Sequence, residues 1–134
     1  MLLSTITHDP EHSLVNQSKE GGYHPGCSDP THIRNMRVNG DGFGVAWYSL
    51  RRRFSDKMRP QGACVFRSTA PAWSNHNLRA LVRHIDSSLI FAHVRAVHMD
   101  SDRIKNDISE DNCHPFSVGR YTFMHNGCIS GFSR

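Results

Sequence analysis

Leu89-Ile90-Phe91-Ala92-His93-Val94-Arg95-Ala96-Val97, taken together with Tyr121-Thr122-Phe123-Met124-His125-Asn126-Gly127, decides how the chain folds. In the first stretch the period-two alternation of a strand puts Leu89, Phe91, His93 and Arg95 on one face and Ile90, Ala92, Val94 and Ala96 on the other. A guanidinium near the end of so apolar a run calls for an anionic partner. The second stretch is a short β-prone run over 121–124 that stops at a polar tip, His125 and Asn126, with Gly127 as a hinge. That layout suits a strand that delivers hydrogen-bond donors to a pocket.

Upstream, Asn39-Gly40-Asp41-Gly42-Phe43-Gly44 opens a strand predicted over 43–49, and 63–68 pairs with it as a hairpin. The Asn-Gly and Asp-Gly steps read as positive-φ turn residues. Because the segment feeds a strand and not a helix, it is not a phosphate loop. Leu78, Leu81, Val82 and Ile85 recur at helical spacing within 77–87, after Ser74 and Asn75 as caps. Residues 1–38 are irregular, with a turn at His8-Asp9-Pro10-Glu11-His12, a short helix over 13–18 and a loop rich in glycine and proline over 21–30. The stretch 98–112 is charged and aperiodic, an exposed loop. Asn112-Cys113-His114-Pro115-Phe116 is compact and apolar again, a strand edge or turn beside the pocket. The order of hairpin, helix, strand, loop and strand predicts an α+β domain with mainly antiparallel pairing.

A chain of 134 residues, 37% apolar and 21% charged, holds one domain with a modest core. No run approaches the roughly 18 apolar residues of a membrane span. Met1 to Thr7 lack both the basic start and the apolar centre of a signal peptide, so a cytoplasmic location is expected. The net charge of +4 owes much to Arg51, Arg52 and Arg53. These three are expected on a solvated hairpin tip, and no aromatic residues interleave with the basic ones as a single-strand binder requires, so nucleic acid is not expected as a partner. Cys27, Cys64, Cys113 and Cys128 form no CxxC pair and are expected as reduced thiols. His24, Cys27, Cys113 and His114 come nearest to a metal-ligand set, but their spacing matches neither a zinc finger nor an HExxH site; no metal or other cofactor is expected.

Asn126 and Gly127 together can supply an oxyanion hole. The carboxamide offers an N–H donor, and the glycine lets a backbone N–H approach a developing negative oxygen with no Cβ in the way. Arg95 can clamp a carboxylate with two parallel hydrogen bonds. An anion clamp beside an oxyanion hole suggests hydrolysis of an amide in an amino-acid-like substrate. On residue types alone, a structural ion pair for Arg95 and a plain Asn-Gly turn stay open beside this reading.

Six blocks occur in the order and approximate spacing of class II glutamine amidotransferases, which the chain therefore resembles. They are 39–48, Pro71-Ala72-Trp73, Asn77-Leu78, Phe91-Ala92-His93-Val94-Arg95-Ala96, Asn112-Cys113-His114-Pro115-Phe116 and Phe123-Met124-His125-Asn126-Gly127. Pro10-Glu11-His12-Ser13-Leu14 and Asn16-Gln17-Ser18 are similar to the Dug-type branch linked to glutathione breakdown. The resemblance implies an N-terminal-nucleophile αββα sandwich with antiparallel sheets, here incomplete. It implies attack by an amino-terminal cysteine on the γ-carbonyl of glutamine or another γ-glutamyl amide, followed by hydrolysis of a thioester. On that template Arg95 holds the substrate α-carboxylate and Asn126 with Gly127 forms the oxyanion hole. His93, Asp41 and His125 stand behind these groups without touching substrate.

Position 2 is Leu2 and not cysteine, and Leu2-Leu3-Ser4-Thr5 is similar to sequence a little downstream of the family's nucleophile. The family's later acidic motif, which grips the substrate α-amino group, has no counterpart. Residues 1–134 are accordingly expected to be a partial type 2 glutamine amidotransferase domain, inactive as written and prone to aggregate where an absent first strand leaves a neighbour unpaired. The alternative is a non-catalytic interaction subunit, or a splice or gene-model fragment, that associates with a metallopeptidase-like partner.

Overall fold

The structure is a computed structural model that describes residues 6–7, 13–21, 38–49, 62–97 and 108–127. The turn at residues 8–12, most of the loop at 21–30, the arginines at 51–53 and the stretch 98–107 lie outside the described residues, as do His24, Cys27 and Cys128.

Helix α1 (Leu14–Lys19) begins where Ser13 Oγ accepts from the Asn16 amide and closes with Lys19 in its last turn, the sign that suits a helix C-terminus. Strand β1 (Phe43–Trp47) is central in a three-stranded antiparallel sheet, between β2 (Cys64–Ser68) and β3 (Ile90–Val94). The β1–β2 hairpin is as predicted. Helix α2 (His76–Leu81) is capped by Asn75, whose Oδ1 accepts from the Leu78 amide at 2.8 Å. It is shorter than the 77–87 periodicity suggests, although Val82 and Ile85 beyond it are still buried.

Alternation along β1 divides the sheet chemically. Phe43, Val45 and Trp47 face the core with Phe66 of β2 and Ile90, Ala92 and Val94 of β3; Ile6, Leu14, Ala72, Leu78, Val82 and Ile85 cover that face. Phe43, Val45 and Leu78 are wholly buried, and a side chain of that size contributes about 1.5–3 kcal/mol when removed from water. The opposite face carries Gly44 and Ala46 on β1, and the register sets Arg67, Gly44 and His93 in one row across the three strands.

Over that second face lies a two-stranded antiparallel sheet, β4 (Phe116–Val118) and β5 (Tyr121–Phe123), joined through Gly119 at a φ of 58°. Tyr48 ties the two sheets together: its hydroxyl lies 2.8 Å from both the Arg120 carbonyl and Thr122 Oγ1. The α+β class with antiparallel sheets is as expected, and a helical layer, a sheet and a second sheet stack in that order. The sequence did not announce β4, since three residues are too few for alternation to register. Strand β5 falls on the β-prone run expected at 121–124, with Tyr121 and Phe123 exposed and Thr122 turned inward. Among the described residues no helix is long and apolar enough to cross a membrane.

Candidate active site

Asp41 and Gly42, just ahead of β1, hold the end of β3 by its backbone. The Arg95 amide donates to the Gly42 carbonyl at 2.9 Å, and the Arg95 carbonyl accepts from the Asp41 amide at 3.0 Å. The Asp41 carboxylate then accepts from the Val97 amide at 2.8 Å. Arg95 therefore follows a strand that ends at Val94 instead of lying inside one that reaches Val97, yet its pairing continues, and the pleat keeps it on the face that bears His93. Gly42 has the positive φ expected of it, 117°. It has a second task as well, because a Cβ there would come within 2.7 Å of Cys113 Sγ.

Gly44 is the position whose purpose the sequence hid. It sits in a strand interior, where glycine weakens a sheet, and a Cβ on it would run into the His114 carbonyl. The missing side chain lets Cys113, His114 and Pro115 lie directly across β1. Arg67 fastens this segment, donating from Nε at 3.0 Å and from Nη2 at 2.7 Å to the Pro115 carbonyl, with its guanidinium 5.8 Å from the Phe116 ring centroid. The Cys113 thiol is buried, within donating distance of the Ser109 and Ser68 carbonyls, and burial pushes its pKa up.

Three imidazoles line up beside this crossing. His114 lies between His93, tilted by 42° at 4.5 Å between ring centroids, and His125, edge-on at 4.6 Å. Burial chiefly, then the neighbouring His93 and His125 and the guanidinium groups of Arg95 and Arg67, push the His114 pKa down to about 4. Burial also holds His93 below its ordinary value, against the opposing pull of its hydrogen bonds to the Asn126 side chain and the His125 backbone. Both rings are neutral near pH 7. Both ring nitrogens of His114 and Nδ1 of His93 are buried without a hydrogen-bond partner. Among the described residues no three His, Cys, Asp or Glu side chains are grouped to hold a metal ion.

The tip that follows β5 reaches this row. His93 Nε2 lies 3.0 Å from Asn126 Oδ1, so the Asn126 side chain is bonded to the strand that leads into Arg95. Gly127 adopts a φ of 88°, which glycine tolerates and other residues rarely do, and open space lies where a Cβ would point. The electrostatic reach of Arg95 extends to His93, His114 and Cys113. Arg67 and Gly44 are the members of this region that residue-by-residue reading missed. The only signal for Arg67 was its place off the core face of an apolar strand.

The family model described as "Glutamine amidotransferases class-II" matches residues 31–134, well over half of the chain. A curated relative, "Probable glutamine amidotransferase DUG3" of Saccharomyces cerevisiae, is 42% identical over 130 residues, 97% of this chain and 32% of that protein. Among solved structures, a "glutamine aminotransferase class-II domain protein" from Silicibacter pomeroyi is 39% identical, with a TM-score of 0.46 over 69% of this chain and 31% of that one. The chain thus spans about a third of the length of each of these two relatives. On the strength of the family match, which takes in β1 and every block from there to Gly127, the chain belongs to the class II glutamine amidotransferases.

Proposed function

We propose that these 134 residues form the substrate-gripping and oxyanion-stabilising part of a γ-glutamyl amide site. Arg95 takes the α-carboxylate of glutamine, or of a γ-glutamyl compound such as glutathione, through charge-assisted parallel hydrogen bonds. The Asn126 carboxamide and the Gly127 N–H meet the oxygen of the γ-carbonyl, where negative charge gathers when a thiolate attacks. The observation that carries this reading is the 3.0 Å contact between His93 and Asn126, because His93 precedes Arg95 by two residues on the same strand face. A clamp and a donor pair held on one support suit a molecule with an anionic head and an amide a few bonds away.

The attacking thiol is not Cys113, which is buried, occupied by backbone carbonyls and raised in pKa; the thiolate is the reactive form. Nor is it Cys64, which pairs with Trp47, three residues along the strand from the Arg67–Gly44–His93 row, roughly 10 Å away at strand spacing. Neither of these two described thiols is placed to attack, Cys27 and Cys128 lying outside the described residues, and the polypeptide is expected to bind L-glutamine and to release no glutamate. Calorimetric titration tests the binding. Arg95→Ala should weaken it roughly 10- to 100-fold, the effect of losing hydrogen bonds to a charged group. Equal affinity in the variant, or no binding by the parent chain, would overturn the proposal. Glutamate release above that of a Cys113→Ala, Cys128→Ala variant would overturn the inactivity.

A further inference from the structure

We infer that His93 is a positioning residue: its Nε2–H donates to Asn126 Oδ1 and so turns the carboxamide N–H2 away from the strand and toward the bound amide. The inference rests on the γ-glutamyl reading above and adds to it a reason why the Asn126 amide faces one way.

A neutral imidazole carries a single N–H, on one nitrogen or the other. His93 Nδ1 is buried without a partner, whereas Nε2 faces an oxygen at 3.0 Å. A proton on Nδ1 would bury a donor with no acceptor, the rarer and costlier orphan; a proton on Nε2 leaves only an unused lone pair. The same choice settles the amide. If its nitrogen faced His93, Nε2 would have to accept and the proton would be forced back to Nδ1. The oxygen therefore faces the ring, and both N–H bonds of Asn126 are left for other partners.

The ring cannot swing out of this role freely. Its cross-strand neighbour in β1 is Gly44, which leaves room for the His114 ring to pack against His93, tilted at 4.5 Å between centroids. The lowered pKa of His93 is consistent with a ring that stays neutral in this setting. Asn126 itself is exposed and follows a short strand, so it depends on such a contact for a single orientation.

The test uses the full 134-residue chain and two probes, L-glutamine and L-norleucine, which keeps the α-carboxylate and lacks the γ-carbonyl. The parent chain should prefer glutamine. His93→Leu should bring glutamine affinity down roughly 10-fold, toward that of norleucine, and leave norleucine unchanged; Asn126→Ala should do the same, and combining the two should add little. His93→Gln, whose amide can donate to Oδ1, should recover part of the preference, which a loss of packing alone would not allow. Nitrogen-15 spectra of the imidazole should show the proton on Nε2. A preference kept in His93→Leu, or a proton on Nδ1, would overturn the role of His93. Should Arg95→Ala leave both ligands unaffected, the γ-glutamyl reading fails instead, and the imidazole spectra still decide whether the His93–Asn126 bond exists.

Discussion

Gly44 shows how much one absent side chain can organise. With hydrogen at Cα, the His114 carbonyl comes to rest on β1, Arg67 reaches the Pro115 carbonyl, and the His114 ring packs against His93. Gly44→Ala should force that segment off the sheet and destabilise the fold by about 1–3 kcal/mol, the usual penalty of overfilling a packed site. The shift would be read from the urea midpoint, and an unchanged midpoint would show that the crossing yields at no cost. This position was not legible in the sequence, because what it makes room for lies far along the chain. Gly42 was half legible: the Asp-Gly step forecast its positive φ, but nothing local forecast Cys113 pressed against it. Arg95 and Asn126 stood out because a guanidinium in an apolar run and an amide at a strand's end are locally odd.

At the scale of elements, periodicity served well wherever one face of a segment is buried. The β1–β2 hairpin, β3 and the helix capped by Asn75 fall close to where alternation and capping chemistry put them, and the short helix expected over 13–18 is found at Leu14–Lys19, with Ser13 as its cap. Periodicity gave no signal for β4, which is three residues long, and none for the faces of β5, where a threonine is held by Tyr48 and the apolar neighbours face outward. The three elements that supply His93, His114 and His125 also make the site sensitive to acid. With a folded pKa of about 4 against an ordinary 6.5, His114 takes up a proton more readily in the unfolded chain. Its penalty is absent above about pH 6.5, grows as the pH falls through that window and is complete below about 4, so acidification removes stability. The lowered pKa of His93 acts in the same direction. Urea midpoints followed from pH 7.5 to 4.5 should fall, and His114→Phe should make the fall shallower. A parallel fall in the two proteins would mean that His114 is not responsible.

For the molecule as a whole, six ordered blocks carried the family assignment, which the family match over residues 31–134 bears out. What the blocks could not convey is the row of Arg67, Gly44 and His93 beneath the 113–115 crossing, since register is a property of paired strands and not of one of them. The central claim is that Arg95 and the Asn126-Gly127 tip serve one ligand. The most direct measurement is a titration of the nitrogen-15-labelled chain with L-glutamine, following the Arg95 Nε–H and Gly127 N–H resonances together. Both should shift and saturate along one binding curve, and L-norleucine should move the Arg95 signal while leaving that of Gly127 in place. If glutamine moves only one of the two, or moves them with different affinities, the claim that they share a ligand is contradicted.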